Sequence, residues 1–368
     1  MSCAHSPQFT GVARRSSAPL KDSPASVYGA VAESVALANR AQRSICVERG
    51  LTGLYRWYIG RSQAQRTWNP DCDFAWRALR QDQPDAVHSV IEGFYAVEQF
   101  VPDYVRTLLR VIRESYGRSH FHLRWGAEEE KHADLWRNAL LSLGRRSVSW
   151  VEEHTRILRA RTYELPWDDP LHMLFYAVLQ ERATHVVYKA LESAVGGGQS
   201  RGLIAVPDPV LARAAATIAL DEAAHYHFFL QASRLYLYYF PEESVRALVD
   251  VLRHFSMPAH DLIPGYEEFG RVLHQSGLFG RRAHYTDVVQ VALNHLGLPG
   301  VRAIEAGIQR SRMRPDEDCR DRDSGWLDAV RLARGARGVF VQATRYAEDA
   351  GVAHTLHAEF MPLEQEHP

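Results

Sequence analysis

The sequence predicts an all-α protein. From about Val27 onward apolar residues recur at helical spacing, and no stretch of strand length alternates apolar and polar residues. Helix breakers mark the joints of the periodic runs, at Pro70, Gly144, Pro166 to Pro170, the glycines at 196–198, Pro207 with Pro209, Pro241 and Pro258. Long helices joined in this way suggest a bundle.

Taken in order, the helical runs are expected at 27–60, 85–115, 119–143, 169–194, 208–236, 241–256 and 281–297. Pro102, four residues after Glu98, removes a helical hydrogen bond and should kink the second run. After Gly297, Pro299 and Gly300 the pattern weakens, 312–325 reads as a charged linker, and 326–348 adds one more helix on the bundle. The division expected is a disordered tail at 1–26, a main domain at 27–300 and a C-terminal helical extension with a frayed end at 301–368.

Composition bounds the function. With 46% hydrophobic and 24% charged residues the chain can bury a sizeable core, and a formal net charge of -1 gives no field to attract nucleic acid or an anionic membrane. The lysines are Lys21, Lys131 and Lys189, so the other basic side chains are arginines. The four cysteines, Cys3, Cys46, Cys72 and Cys319, have neither zinc nor redox spacing, which points to a reduced compartment. No run approaches the roughly 18 to 20 apolar residues that a membrane span needs. A soluble, cytoplasmic protein is expected, or a plastid one if the Ser-, Pro- and Arg-rich start is a transit peptide.

The chemistry lies in acids placed where a core should be. In WGAEEEKHADLW, 125–136, Glu129 and His132 are three apart and share a helix face. IALDEAAHYHFF repeats the spacing with Glu222 and His225, on a stripe with Ile218 and Phe229. Glu98 stands among Ile91, Phe94, Val101 and Val105, and Glu181 among Leu174, Val178 and Tyr188. Four buried carboxylates without partners would cost several kcal/mol each, so positive charge must sit among them. Two Glu-x-x-His pairs and two single glutamates from four helices are the ligand set of a carboxylate-bridged di-iron or di-manganese centre. Oxygen-rich ligation with one imidazole per metal suits iron or manganese better than zinc or copper.

At these residues the sequence resembles the soluble acyl-carrier-protein desaturases, the family of the plant stearoyl-carrier-protein enzyme and its bacterial relatives. The shared motifs are WNPDCDF at 68–74, E-x-x-x-P-x-Y at 98–104, W-x-A-E-E-x-x-H-x-D-L at 125–135, Q-E-R-A-T at 180–184, D-E-x-x-H at 221–225 and S-M-P-A-H at 256–260, in the family's order. The resemblance implies a ferritin-like four-helix-bundle core with additional helices and two iron ions per chain. Glu98 and His132 would bind one iron, Glu181 and His225 the other, and Glu129 and Glu222 would bridge. Thr184 would place a hydroxyl on the oxygen-binding side, and Trp68 with Asp221 would form a relay toward His132. It further implies an acyl chain on acyl carrier protein as substrate, dioxygen as oxidant, ferredoxin as electron donor and a homodimer. Arg281 with Arg282, or Arg312 with Arg314, are candidates for meeting the acidic carrier.

Some positions depart from the family. Val97 stands where plant members carry threonine and Ala224 where they carry arginine, and Arg110 falls with Thr107 and Val111 on the segment that lines the family's acyl tunnel. His185, one turn beyond Glu181, could approach the metal face, whereas His120, His122 and His227 lie off the ligand spacing. A di-iron oxygenase acting on another substrate and a non-catalytic metal-binding bundle remain as alternative readings.

Overall fold

The computed structural model describes residues 39–198, 205–312 and 327–352. The expected N-terminal tail, the start of the first helical run, Arg314, the 312–325 linker beyond Arg312 and the C-terminal end lie outside them.

Among the described residues the regular structure is helical, apart from turns. The helices are α1 Arg40–Gln65, α2 Asp85–Glu98, α3 Val101–Ile112, α4 Tyr116–Ser142, α5 Val148–Arg159, α6 Pro170–Val195, α7 Pro209–Tyr239, α8 Pro241–His254 and α9 Tyr266–Gln275. They are followed by α10, a composite of Arg281–Ala283, a π-helical stretch His284–Val289 and Gln290–Leu296, then by α11 Val301–Arg312 and α12 Ala329–Asp349. Three helices, α5, α9 and α11, were not expected from the periodicity. They are only 10 to 12 residues long, too short for their apolar stripes to stand out.

Local chemistry starts the long helices in register. Asp169 and Asp208 each precede a proline, and each side chain accepts from two backbone N–H groups of the first turn, Leu171 and His172 in α6 and Val210 and Leu211 in α7. Asn39 forms a reciprocal capping box with Gln42 at α1, and Ser115 caps α4. The expected kink at Pro102 is a full break. The run 85–115 divides after Glu98, where Gln99 and Phe100 bond back to Ala96 and Val97 over three residues, and α3 restarts with Pro102 in its first turn.

The bundle is built from α2, α4, α6 and α7. The α6–α7 hairpin packs along its length, α4 packs against α2 and crosses α7, and α1 with α12 covers the outer side of α4 and α7. Gly117 permits the α1–α4 approach, because a Cβ there would overlap the Leu51 carbonyl of α1. Two apolar cores fill the bundle. One gathers Phe121 and Trp125 of α4, Ala183 of α6 and Tyr226 and Phe229 of α7; the other gathers Leu135 and Trp136, Val187 and Tyr188, and Ala215 and Ile218 of the same helices. On α4 and α7 the change of core happens across the acids and histidines, and on α6 it follows just after Glu181, so these residues form a polar layer at mid-bundle. Among the described residues no helix is long and apolar enough to cross a membrane.

Candidate metal centre

The layer brings together all six residues expected as ligands. Glu98 is the last residue of α2; Glu129 and His132 come from α4, Glu181 from α6, and Glu222 and His225 from α7. Ligand atoms of Glu98, Glu129, His132 and Glu222 all lie within 4.8 Å of one another, and so do those of Glu129, Glu181, Glu222 and His225. Glu129 and Glu222 belong to both groups, and every one of the six is buried.

The atoms converge on points in space more than on each other. His132 Nδ1 is 3.1 Å from Glu129 Oε2, and His225 Nδ1 is 2.9 Å from Glu129 Oε1, so this carboxylate presents one oxygen to each imidazole. His225 Nδ1, Glu129 Oε1 and Glu181 Oε2 are buried without a hydrogen-bond partner, despite separations of 2.9 to 3.4 Å. Lone pairs aimed together in this way suit a cation between them. Glu98 accepts from Tyr188 Oη (3.1 Å), Glu181 from Trp125 Nε1 (3.0 Å) and Glu222 from Thr184 Oγ1 (2.5 Å).

Each imidazole is backed by a carboxylate on its far side, and the arrangement crosses between helices. His132 of α4 has its Nε2 3.4 Å from Asp221 Oδ2 of α7, while His225 of α7 has its Nε2 3.0 Å from Glu128 Oε2 of α4. Such partners fix the ring orientation and leave Nδ1 for the metal. Asp221 also accepts from Trp68 Nε1 (2.9 Å); the Trp68 ring lies parallel to His132, and Lys131 Nζ sits 4.3 Å over its face. Glu128 accepts from the hydroxyls of Tyr58 and Ser62, from Arg66 (3.1 Å) and from Arg124 (2.9 Å).

Sequence reasoning missed Glu128 and its partners. Two signals were available: an acid precedes the glutamate in both Glu-x-x-His pairs, and Tyr58 and Ser62 on α1 with Arg66 just past its end recur every four residues, which turns one polar face inward.

The electrostatics describe a site that holds protons when no cation is present. Burial, and then the charge of Glu129, push Glu98 up to about 8. Burial also raises Glu181 and takes Glu222 well above the carboxylate range. Burial works to raise Glu129 as well, but His132 and His225 outweigh it and hold it at about 2. For His132 burial acts downward, yet Glu129 and Asp221 lift it to about 10.

The charges test the fit of a metal pair. Two divalent cations would neutralise the four inner carboxylates, and Arg66 with Arg124 already neutralise Glu128 and Asp221. The residues present therefore fit two ions of the iron or manganese type.

The other sequence-predicted residues fall on either side of this line. His185 is half-buried and tied to the Ala219 carbonyl through Nδ1 (2.9 Å), outside both groups. His120 is half-buried against the Tyr116 carbonyl; His122 is bonded to the Arg118 carbonyl, and burial pushes it down to about 3. Arg110 does not enter a tunnel: it points outward and pairs with Asp168 at 2.8 Å. Tyr104 and Leu108 form that wall instead.

Two apolar cavities meet at the centre. One, of about 420 Å³, runs between α2, α6, α9 and the start of α10, from Arg281 and His284 inward past Phe94, Val187 and Phe269 to Glu98 and Thr184. The other, of about 50 Å³, lies among Tyr104, Trp125, Met173, Tyr176 and Phe229, with Glu129, Glu181 and Glu222 in its wall. Val97, Glu98, Thr184 and Met257 line both. Met257 is held by the S-M-P-A-H turn, in which buried Ala259 adopts a left-handed φ of 55° and the Ser256 carbonyl accepts from Tyr176 Oη (3.0 Å).

The sequence profile of the fatty acid desaturase family matches residues 67–313. Stearoyl-[acyl-carrier-protein] 9-desaturase 6, chloroplastic, of Arabidopsis thaliana is 27% identical over 244 residues, which are 62% of this chain and 60% of that protein. Stearoyl-[acyl-carrier-protein] 9-desaturase 1, chloroplastic, of Oryza sativa subsp. japonica is 27% identical over 229 residues, 58% of each chain. The chain thus spans about 60% of the length of these relatives. The X-ray structure of the acyl-ACP desaturase DesA2 of Mycobacterium tuberculosis H37Rv superposes with a TM-score of 0.51 at 18% identity, over 71% of this chain and 98% of that one. That likeness is one of fold.

Proposed function

Because the chain belongs to the fatty acid desaturase family over residues 67–313, we propose that it inserts a double bond into a saturated acyl chain carried on acyl carrier protein. The single observation that carries this reading is the junction of the two apolar cavities at Glu98 and Thr184, beside both ligand groups. A chain threaded from the wide cavity into the narrow one would pass the centre with a methylene pair alongside it.

The cofactor in this reading is a pair of iron ions: Glu98 and His132 would hold one, Glu181 and His225 the other, and Glu129 and Glu222, which belong to both groups, would serve both. Bound iron supplies, with dioxygen, an oxidising power that no side chain has. The protein supplies the rest. The apolar walls exclude water and align the chain. Thr184, bonded to Glu222 and open to both cavities, offers a hydroxyl where oxygen must be managed. Trp68, bonded to Asp221 behind His132 and half-buried, leads electrons inward from a ferredoxin. Two hydrogens leave adjacent carbons and, with two electrons and two protons, reduce one dioxygen to two waters.

Arg281 at the mouth of the wide cavity, with exposed Arg282 beside it, suits the anionic arm and acidic surface of the carrier. A homodimer completes the proposal, as the family resemblance implies.

The test is mass spectrometry of an acyl chain on its carrier protein after incubation with this protein, iron, dioxygen and reduced ferredoxin. Loss of two hydrogens is expected. Gain of an oxygen atom would make the protein a hydroxylase, and an unaltered acyl chain in an iron-loaded sample that consumes oxygen would refute the substrate.

A further inference from the structure

The side of the centre away from the cavities is closed by α1, and one cation there touches both halves of the site. Arg66 Nη1 donates to Glu128 Oε2 at 3.1 Å and to Asp221 Oδ1 at 3.0 Å, the two carboxylates that stand behind His225 and His132. Arg66 is 7% exposed, and its guanidinium lies 4.8 Å from the centroid of the Tyr58 ring. Resting on the reading of the six residues as ligands of two metal ions, we propose that Arg66 is a positioning residue that keeps the Glu98–His132 metal in place through Asp221.

The asymmetry of the two halves carries the argument. Without Arg66, Glu128 would still accept from Tyr58, Ser62 and Arg124, so the carboxylate behind His225 would stay fixed. Asp221 would keep only Trp68 Nε1 and the imidazole it serves. Among the described ion pairs Arg66 is the one arginine or lysine bonded to Asp221. A buried carboxylate that loses this tie is free to turn away from the imidazole behind which it stands, and that releases the His132 ring.

The ligands differ in the same sense. Glu181 and His225 lie inside the packed α6–α7 hairpin and are 0% exposed; His132 is as deeply buried, but its partner Glu98 is 6% exposed, ends its helix at the turn before α3 and forms part of both cavity walls. The His132 half is the one with slack to lose, and Arg66 is what restrains it.

Iron release from the full chain tests this. Apoprotein is loaded anaerobically with ferrous iron, its iron content is measured, and loss to a chelator is followed in time for wild type, Arg66→Met and Arg66→Lys. In Arg66→Met one iron per chain should leave roughly 10–100-fold faster while the other keeps the wild-type rate, and Arg66→Lys, which restores the charge, should largely recover it. Adding Asp221→Asn to Arg66→Met should cause no further acceleration, because both act through one tie, whereas adding Glu128→Gln should loosen the second iron. Where the methionine variant does not fold, Arg66→Gln takes its place with the same expectation. Wild-type release of both irons in a folded, uncharged variant overturns the proposal, and so does equal acceleration of both. A wild-type chain that holds no iron overturns the metal reading, and the proposal with it.

Discussion

Stripping the metal should make the stability of this protein fall as pH rises, and reloading it should abolish that fall. In the metal-free bundle Glu98 holds its proton up to about 8 against an ordinary 4.5, because it is buried beside Glu129. The folded state therefore binds a proton that the unfolded chain has already released. The stability so contributed is fully present below about 4.5 and is lost as pH rises through about 8. His132, lifted from 6.5 to about 10, adds stability that is present below 6.5 and lost as pH rises through 10, the same direction. Glu129, held at about 2, contributes stability that is lost only as pH falls toward 2, so it is flat across the window. For Glu98 alone the gap, at about 1.4 kcal/mol per pH unit, is worth on the order of 5 kcal/mol, less whatever its carboxylate neighbours share of that proton. At roughly 2 °C per kcal/mol for a chain of this size, the chelated protein should lose on the order of 5–10 °C in Tm between pH 5 and pH 9. Manganese- or iron-loaded protein should not, since bound metal requires the deprotonated ligands and holds them so. Scanning calorimetry of both forms across that range is the assay. Parallel pH slopes for the chelated and loaded protein, or a chelated protein that gains stability with pH, would refute the reasoning.

Three further outcomes are expected. Glu222→Ala and His132→Ala should each lose stoichiometric iron by elemental analysis while circular dichroism shows the helices retained, since the two apolar cores lie outside the polar layer; retained iron in both would sink the ligand assignment. Trp68→Phe removes the indole N–H bonded to Asp221 but keeps the apolar ring, so steady turnover with ferredoxin should fall by roughly tenfold or more, with iron content and a single turnover of pre-reduced protein little changed. Equal losses in both regimes would mean that Trp68 acts on structure and not on electron delivery. Gly117→Ala forces α1 and α4 apart at the Leu51 carbonyl and should destabilise the fold by roughly 1–3 kcal/mol in denaturant titration. An unchanged midpoint would show that the helices can slide.

What the sequence determined by itself was whatever depends on spacing within one helix. The period of apolar residues is a local property, so the all-α class and the long helices were legible, and so were the six clustered residues, because three-residue spacing places Glu129 with His132 and Glu222 with His225 on one face. Asp221 and Trp68 could be named in advance because their motifs stand beside the ligands in the chain. Tertiary structure alone decided what passes between helices. Glu128 serves the histidine of α7 and not the one four residues along its own helix, Arg66 joins two carboxylates that are 93 positions apart in the chain (128 to 221), and Arg110 turns outward to Asp168. The break after Glu98 that opens it to both cavities depends on how α2 and α3 pack, beyond what Pro102 alone requires. Helical periodicity states which side chains share a face, but rotation and crossing of the helices choose their partners, and that choice is made by the packing of the two cores.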